Sequence, residues 1–388
     1  MCNSHTSNCL SIYRNRHPWF LFLAITLLFT NCKADSRKGS TPLVIDASAD
    51  TAVGKMVAPA SGSLRIMSYN VLKFGDGCQG SPKDLHPYFR KILKYANADI
   101  VGLVKVAAIP VDGIEGKAPK DFDKEIRDED FNASFPDRYS VCPFSNHADA
   151  NNVNLLFYDK HKMGFAGMET LVSNETDFNL FRLYLISSIQ NGSKDTSFLY
   201  IILNHTESGD KSDLRDVQLH QILSRLQQGF KEMPAVICMG DFNLRNTDEA
   251  GYHSLILGKS AFHFDDPPFA LDHWLKYPAD WENHPELYQR FLTTSTRKKE
   301  GEPNNCGTAG GAKFWFDHIL ISTFISKGSG IFSYHPGSFR VLGNDGKRLG
   351  LSVNAPKHPN SAISEELAEA LFQFSNKYPV MLDLDIRH

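Results

Sequence analysis

The sequence predicts an α/β fold built on a pair of mixed β-sheets. From Leu64 to Ile386, apolar strand patterns alternate with helical ones, with no repeat and no linker between them. Several strand patterns follow one another without a helix between, a hairpin-like succession that favours mixed sheets over a doubly wound parallel sheet. The chain has 388 residues, 42% of them hydrophobic, enough to fill a sizeable core.

The elements read in order as follows. "LRIMSYNVL" (64–72) alternates as a strand does, "YFRKILKYA" (88–96) has helical spacing, and "DIVGLVKV" (99–106) reads as a buried strand. Strands are predicted over 152–159, 180–190 and 198–205. A helix is predicted over 212–230, capped by Ser212 or Asp213, with Leu214, Val217, Ile222 and Leu226 on one face. "PAVICMGDFN" (234–243) and "FWFDHILIS" (314–322) read as strands, 364–374 as a short helix and 379–386 as the last strand.

The N-terminus is read as a targeting segment. Arg14, Arg16 and His17 precede the apolar run "PWFLFLAITLLFT", too short for a comfortable membrane span. "LFTNC" resembles a bacterial lipobox, although Phe29 and Asn31 depart from its usual residues. The expectation is a signal peptide over 1–31, lipidation at Cys32, a polar tether over 32–62 and a globular domain over 63–388. The protein is then exported and membrane-anchored, periplasmic or at the cell surface. A plain cleaved signal or an anchor helix are the competing readings.

Net charge is −3, so nothing argues for bulk nucleic-acid binding through a basic surface, which leaves room for local patches only. Of seven cysteines, Cys78, Cys142, Cys238 and Cys306 remain beyond Cys32. Their spacing fits no zinc site. Cys238 reads as a buried thiol, and Cys78–Cys142 is one conceivable bridge.

Asn70, Lys105, His205, Asp241, Asn243 and Asp317 stand at the ends of apolar strands, where active sites collect. Singly, each has a bland reading as a turn or structural residue. Together, "SYNV", "VGLVKV", "LNHTESGDKSDLRDVQ", "MGDFN", "FDHILIS" and "SNKYPV" follow an order that resembles the endonuclease/exonuclease/phosphatase superfamily. The resemblance runs from about Leu64 to Ile386, and "GDFN" followed by "DHILIS" is its most specific part. It implies a four-layer α/β sandwich, two packed mixed sheets with helices outside, that cleaves phosphoesters with Mg²⁺ or a similar ion. Asn70 then matches the Asn after the first strand and His205 the phosphate-contacting His. Asp241 and Asn243 match the pair that positions water and phosphate, and Asp317 the Asp of the penultimate strand.

Three positions depart from that pattern. Lys105 stands where the family's metal-holding Glu is expected, and Asn376 and Lys377 where an Asp-His pair supplies the base. These changes raise the local charge by about +4. An ammonium about 4 Å from a divalent ion, at an effective dielectric of ~20, repels it by about 8 kcal/mol. Two rescues are conceivable: Asp317-His318, whose side chains should point to opposite faces of a strand, and His358 on a nearby loop.

The sequence therefore predicts a degenerate site with no metal or other cofactor, binding a phosphorylated or other anionic ligand, or a protein. Lys105 is expected to form a salt bridge with Asp241 or Asp317. The alternatives are an active Mg²⁺-dependent phosphodiesterase or phosphatase with rearranged chemistry, acting on phospholipid head groups or nucleic acid, and an adhesion scaffold.

Overall fold

Thirteen strands form two sheets in the computed structural model, which describes residues 62–110, 121–187, 198–258, 260–304 and 306–387. The signal segment, Cys32 and all but the last residue of the tether lie outside the described residues, which fall within one compact unit spanning residues 47–388. The strands are β1 (Ser63–Phe74), β2 (Ile100–Ala107), β3 (Tyr139–Val141), β4 (Asn152–Asp159), β5 (Met163–Ser173), β6 (Asp177–Leu185) and β7 (Phe198–His205). They continue with β8 (Val236–Asp241), β9 (Phe264–Asp265), β10 (Asp317–Ser322), β11 (Phe332–Tyr334), β12 (Arg340–Val341) and β13 (Val380–Ile386).

One sheet runs β11-β13-β1-β2-β4-β3, with β12 also on β13; the other runs β5-β6-β7-β8-β10-β9. Each has one parallel pair, β1 with β2 and β7 with β8, among antiparallel neighbours. This is the mixed sheet pair that the succession of strands predicted. The sheets pack face to face very closely. A Cβ on Gly102 of β2 would lie 2.4 Å from the Leu203 side chain and 2.7 Å from that of Met239, so only glycine lets the sheets meet there.

Helices cover the outer faces, completing the four-layer sandwich. Helix α1 (Pro82–Ala96) starts earlier than its apolar spacing suggested, because Ser81 caps it, its hydroxyl accepting from the Asp84 N–H, and Pro82 suits the first turn. Its buried stripe of Leu85, Phe89, Ile92 and Leu93 faces the core, and Phe89 stacks on Phe374 of α3 (Glu365–Phe374) at 4.5 Å between ring centres.

Helix α2 (Ser212–Gly229) corrects two expectations. Lys211, not Ser212 or Asp213, occupies the capping position, and the buried face is Arg215, Gln218, Leu219, Ile222, Leu223 and Leu226. Leu214 and Val217 are exposed. Polar anchoring sets this rotation. The Arg215 guanidinium donates twice to Glu249 at 2.9 Å, and the Gln218 side-chain oxygen accepts from the Glu207 N–H.

β5 escaped the sequence reading. It is a bulged edge strand, with register shifts at Phe165/Gly167 and Thr170/Val172, so it lacks a clean alternation of buried and exposed residues. Cys142 and Cys238 are buried free thiols, and the disulfide joins Cys78 to Cys306, not to Cys142. Cys142 follows β3 into the core, fully buried, with its N–H on the Leu156 carbonyl. Among the described residues no helix is long and apolar enough to cross a membrane.

Candidate functional site: a lysine between two carboxylates

The polar strand ends converge where the two sheets meet. In β7 and β8, His205 pairs in register with Asp241; in β8 and β10, Asp241 pairs with Asp317. Gly240 permits the tight end of β8: its φ is 147°, and a Cβ there would lie 1.9 Å from the Asn204 carbonyl oxygen. Asn243 follows in the left-handed region at φ 48°. Its N–H donates to Asp241 Oδ1 at 3.1 Å, and its amide to the Thr206 carbonyl at 2.9 Å.

From the other sheet, Asn70 of β1 reaches across and donates from Nδ2 to Asp241 Oδ2 at 2.8 Å. Beyond Asn70 the β1–β2 register slips, and Leu72 and Lys73 take left-handed φ values of 47° and 60°. The Asn70 side-chain oxygen accepts from the Leu72 N–H at 2.9 Å and holds that bend.

Lys377 closes the site. Its ammonium lies 2.8 Å from Asp241 Oδ2, 3.8 Å from Asp317 Oδ2 and 4.8 Å from the centre of the Phe316 ring. The side chain is almost wholly buried. Burial alone would lower its pKa, but Asp241 and Asp317 outweigh burial and raise it. Burial likewise pushes the Asp241 carboxyl up, and Lys377 above all reverses this, holding it well below the usual carboxylate range. Asp317 goes the other way. Burial raises it to about 7 against the pull of Lys377, with the Asp241 charge adding to the rise. Neither of its carboxylate oxygens has a hydrogen-bond partner among the described residues.

Lys105 does not make the predicted salt bridge: among the described residues it has no ion pair within 4 Å, and Lys377 takes that place. The reason lies in the backbone. Lys105 sits in a bulge between Leu103 and Val106 opposite β4, at φ 63°, and bulges re-aim side chains. Burial lowers its pKa, with Asp241 opposing and Lys377 and Lys73 adding to the fall. His205 is half-buried and its pKa is pushed down to about 4 by burial, with Lys105 and Lys377 contributing. It is neutral at pH 7.

Asn376 points away from the ammonium: its Nδ2 donates to the carbonyl and hydroxyl of Thr308 at 3.2 and 2.9 Å. His318 faces away from Asp317 as strand alternation predicted; it is fully buried against Asp266 at 3.2 Å. His358 is exposed, and its backbone carbonyl accepts from Arg348. Neither offers a substitute base.

Sequence reasoning missed the frame around Lys377. Thr293, Thr294, Ser295, Thr296 and Arg297 are all buried. The Thr293 hydroxyl accepts from the Phe316 and Asp317 N–H groups, the Thr296 hydroxyl donates to the Ser375 carbonyl at 2.5 Å, and the Ser375 hydroxyl donates to the Asn70 carbonyl at 2.8 Å. The run "TTSTR" directly after the apolar Phe291-Leu292 was the available signal.

A divalent ion does not fit these residues. Asp241 Oδ2 already accepts from an amide and an ammonium, and among the described residues no group of three or more His, Cys, Asp or Glu side chains could hold a metal. An entering ion would have to displace the Lys377 ammonium and share the cleft with Lys105.

No family model and no curated protein matches the sequence. Among solved structures, the chain is similar to D. rerio TDP2 complexed with single-strand DNA product, at 15% identity over 83% of this chain and 99% of that one, TM-score 0.49. It is similar to the human Nocturnin catalytic domain with bound sulfate, at 13% identity over 84% and 95%, TM-score 0.48. An endonuclease/exonuclease/phosphatase family protein from Bacteroides thetaiotaomicron gives 14% identity over 84% and 95%, TM-score 0.46. At these identities the likeness is one of fold.

Proposed function

We propose that this chain, which carries the fold of the endonuclease/exonuclease/phosphatase superfamily, has lost metal-dependent phosphoester hydrolysis and binds an anionic, phosphate-bearing ligand in the same cleft. One observation carries the reading: the Lys377 ammonium sits 2.8 Å from Asp241, neutralising the carboxylate a hydrolase would use. The cation is internal, so no free divalent ion is needed to keep Asp241 and Asp317 together. Lys105 supports the ligand half of the proposal. It is a half-buried cation with no ion pair among the described residues, so an anion entering beside it gains a charge-assisted contact. His205, neutral at pH 7, can donate one hydrogen bond to a phosphate oxygen but does not add charge.

The protein is further proposed to be exported and tethered through a lipid on Cys32. The Cys78–Cys306 disulfide supports export, since such bonds persist in oxidising compartments. Cys32→Ala should shift the protein from the membrane fraction to the soluble one or leave it unprocessed. Unchanged fractionation and mobility would remove the anchor from the proposal.

The cleft reading is tested with purified protein, pyrophosphate and a single-stranded oligonucleotide. Pyrophosphate should bind in the presence of a chelator, millimolar Mg²⁺ should leave the melting temperature unchanged, and a generic phosphodiester should not be cleaved. A variant with Lys105→Glu, Asn376→Asp and Lys377→His should gain stabilisation by Mg²⁺. Chelator-sensitive cleavage by the wild type would establish the active phosphodiesterase instead. Binding of neither anion would favour the adhesion scaffold.

A further inference from the structure

The segment that carries Lys377 is fastened by a strap whose far end is the disulfide. Cys306 is bonded to Cys78, 228 residues away, with their Cα atoms 5.6 Å apart. Two residues on, Thr308 takes both hydrogen bonds from the Asn376 amide. The strap returns to the body where the N–H groups of Gly310 and Gly311 donate to the carbonyls of Lys298 and Arg297 at 2.9 and 2.8 Å. Gly307, at φ 78°, lies directly on the Asn376 side chain: a Cβ there would be 2.7 Å from its Nδ2.

Arg297 binds this strap to the helix that precedes Lys377. It is buried, and its guanidinium donates to the Phe372 and Gln373 carbonyls at the end of α3, to the Cys306 carbonyl at 3.2 Å, and to the Gln79 side chain beside Cys78 at 3.2 Å. Disulfide, arginine, helix end and Asn376-Lys377 thus form one connected unit. The strap itself buries little. Gly307 and Thr308 are exposed, and Cys78 and Cys306 are half-buried. Without the cross-link, a few hydrogen bonds must hold an exposed segment against its ordering entropy.

We propose, building on the cleft reading above, that the Cys78–Cys306 disulfide is a redox latch on the ligand cleft: oxidised, it seats the strap over Asn376 and keeps Lys377 buried; reduced, it frees the strap and opens Lys377 to an anionic ligand. The step is thiol–disulfide exchange. A dithiol gives two electrons and leaves as its own disulfide, the Cys78–Cys306 S–S bond breaks, and each released sulfur takes one proton.

The experiment labels the folded full-length protein with a water-soluble amine-acetylating reagent, with and without dithiothreitol, and follows each lysine by peptide mass spectrometry. The expected result is at least a tenfold faster acetylation of Lys377 after reduction, with exposed Lys124 unchanged. The Cys78→Ser, Cys306→Ser double variant should show the fast rate without reductant. Equal Lys377 rates, with the thiols shown to be free, would overturn the latch. So would collapse of the near-ultraviolet signal of buried Trp281 and Trp315 on reduction, because the bond would then be a staple of the whole fold. Labelling needs no ligand, so the two readings separate. If Lys377 opens on reduction but pyrophosphate affinity does not rise, the part of the latch proposal that gives Lys377 to the ligand is overturned, while the ligand reading, which rests on Lys105, is tested separately by pyrophosphate binding to the oxidised protein.

Discussion

Lys377 and Lys105 both bring a cation to the same strand ends, one from just ahead of β13 and the other from β2. Lys377 is buried, bonded to Asp241 and raised in pKa; Lys105 is half-buried, without an ion pair among the described residues and lowered in pKa. Two cations in one cleft therefore sit in opposite settings. The first is spent inside the fold, where it removes the repulsion between two carboxylates and occupies the donor set a divalent ion would need. The second has no ion pair among the described residues, which is why the proposed ligand anion is placed beside it. Backbone geometry decides which is which: the bulge at Lys105 turns it aside, while the Thr293–Arg297 frame aims Lys377 inward.

The strongest test of this contrast is to remove the internal cation. Lys377→Met should destabilise the protein by about 3–5 kcal/mol, because it strands the buried Asp241 carboxylate. Urea denaturation measures the loss, and adding Asp241→Asn should recover much of it. A loss under about 1 kcal/mol would mean that water, not the ammonium, satisfies these carboxylates.

The fold was legible because strand ends, apolar runs and the "GDFN" and "DHILIS" motifs are local signals, and the structure places Asn70, Asp241, Asp317 and Lys377 in contact as their strand-end positions suggested. Which lysine would neutralise Asp241 was not legible. A bulge leaves no mark in "VGLVKV", and the positive φ of Lys105 comes from tertiary pairing with β4 rather than from a glycine or asparagine at that position. The Cys78–Cys306 pairing was hidden for a related reason, since two cysteines 228 residues apart have no sequence relation that reports their proximity. The buried face of α2 misled because an arginine and a glutamine, not two aliphatics, anchor it.

A second, smaller effect separates the two carboxylates that share Lys377. Asp317 is raised to about 7 by burial, so between its unfolded value near 3.8 and about 7 the folded state holds its proton more tightly than the unfolded state. The stability this contributes is fully present below about pH 4 and is lost as pH rises through 7. Asp241, held low, keeps its contribution throughout that window and loses it only in stronger acid. Asp130, raised to about 6 beside His86, also titrates here, so the comparison must be with a variant. Stability measured from pH 5 to 7.5 should fall less steeply in Asp317→Asn than in the wild type. Identical slopes would show that Asp317 is already ionised at pH 5.

Lys105 should give the smallest stability effect and the clearest separation of stability from binding. Had it formed the salt bridge expected from the sequence, its truncation would leave Asp241 or Asp317 unpaired in the interior and cost several kcal/mol. Its side chain has no such partner among the described residues, and burial opposes its charge, so removing it also relieves a desolvation penalty. Lys105→Ala should therefore change the free energy of unfolding by less than about 1 kcal/mol. Pyrophosphate affinity in the same variant should drop roughly tenfold or more, the worth of one charge-assisted hydrogen bond. Lys105→Glu should weaken it further by adding repulsion. A variant that loses several kcal/mol of stability, or keeps full affinity for pyrophosphate, would mean that Lys105 is a structural cation like Lys377 and that the cleft has no charge to spare for a ligand.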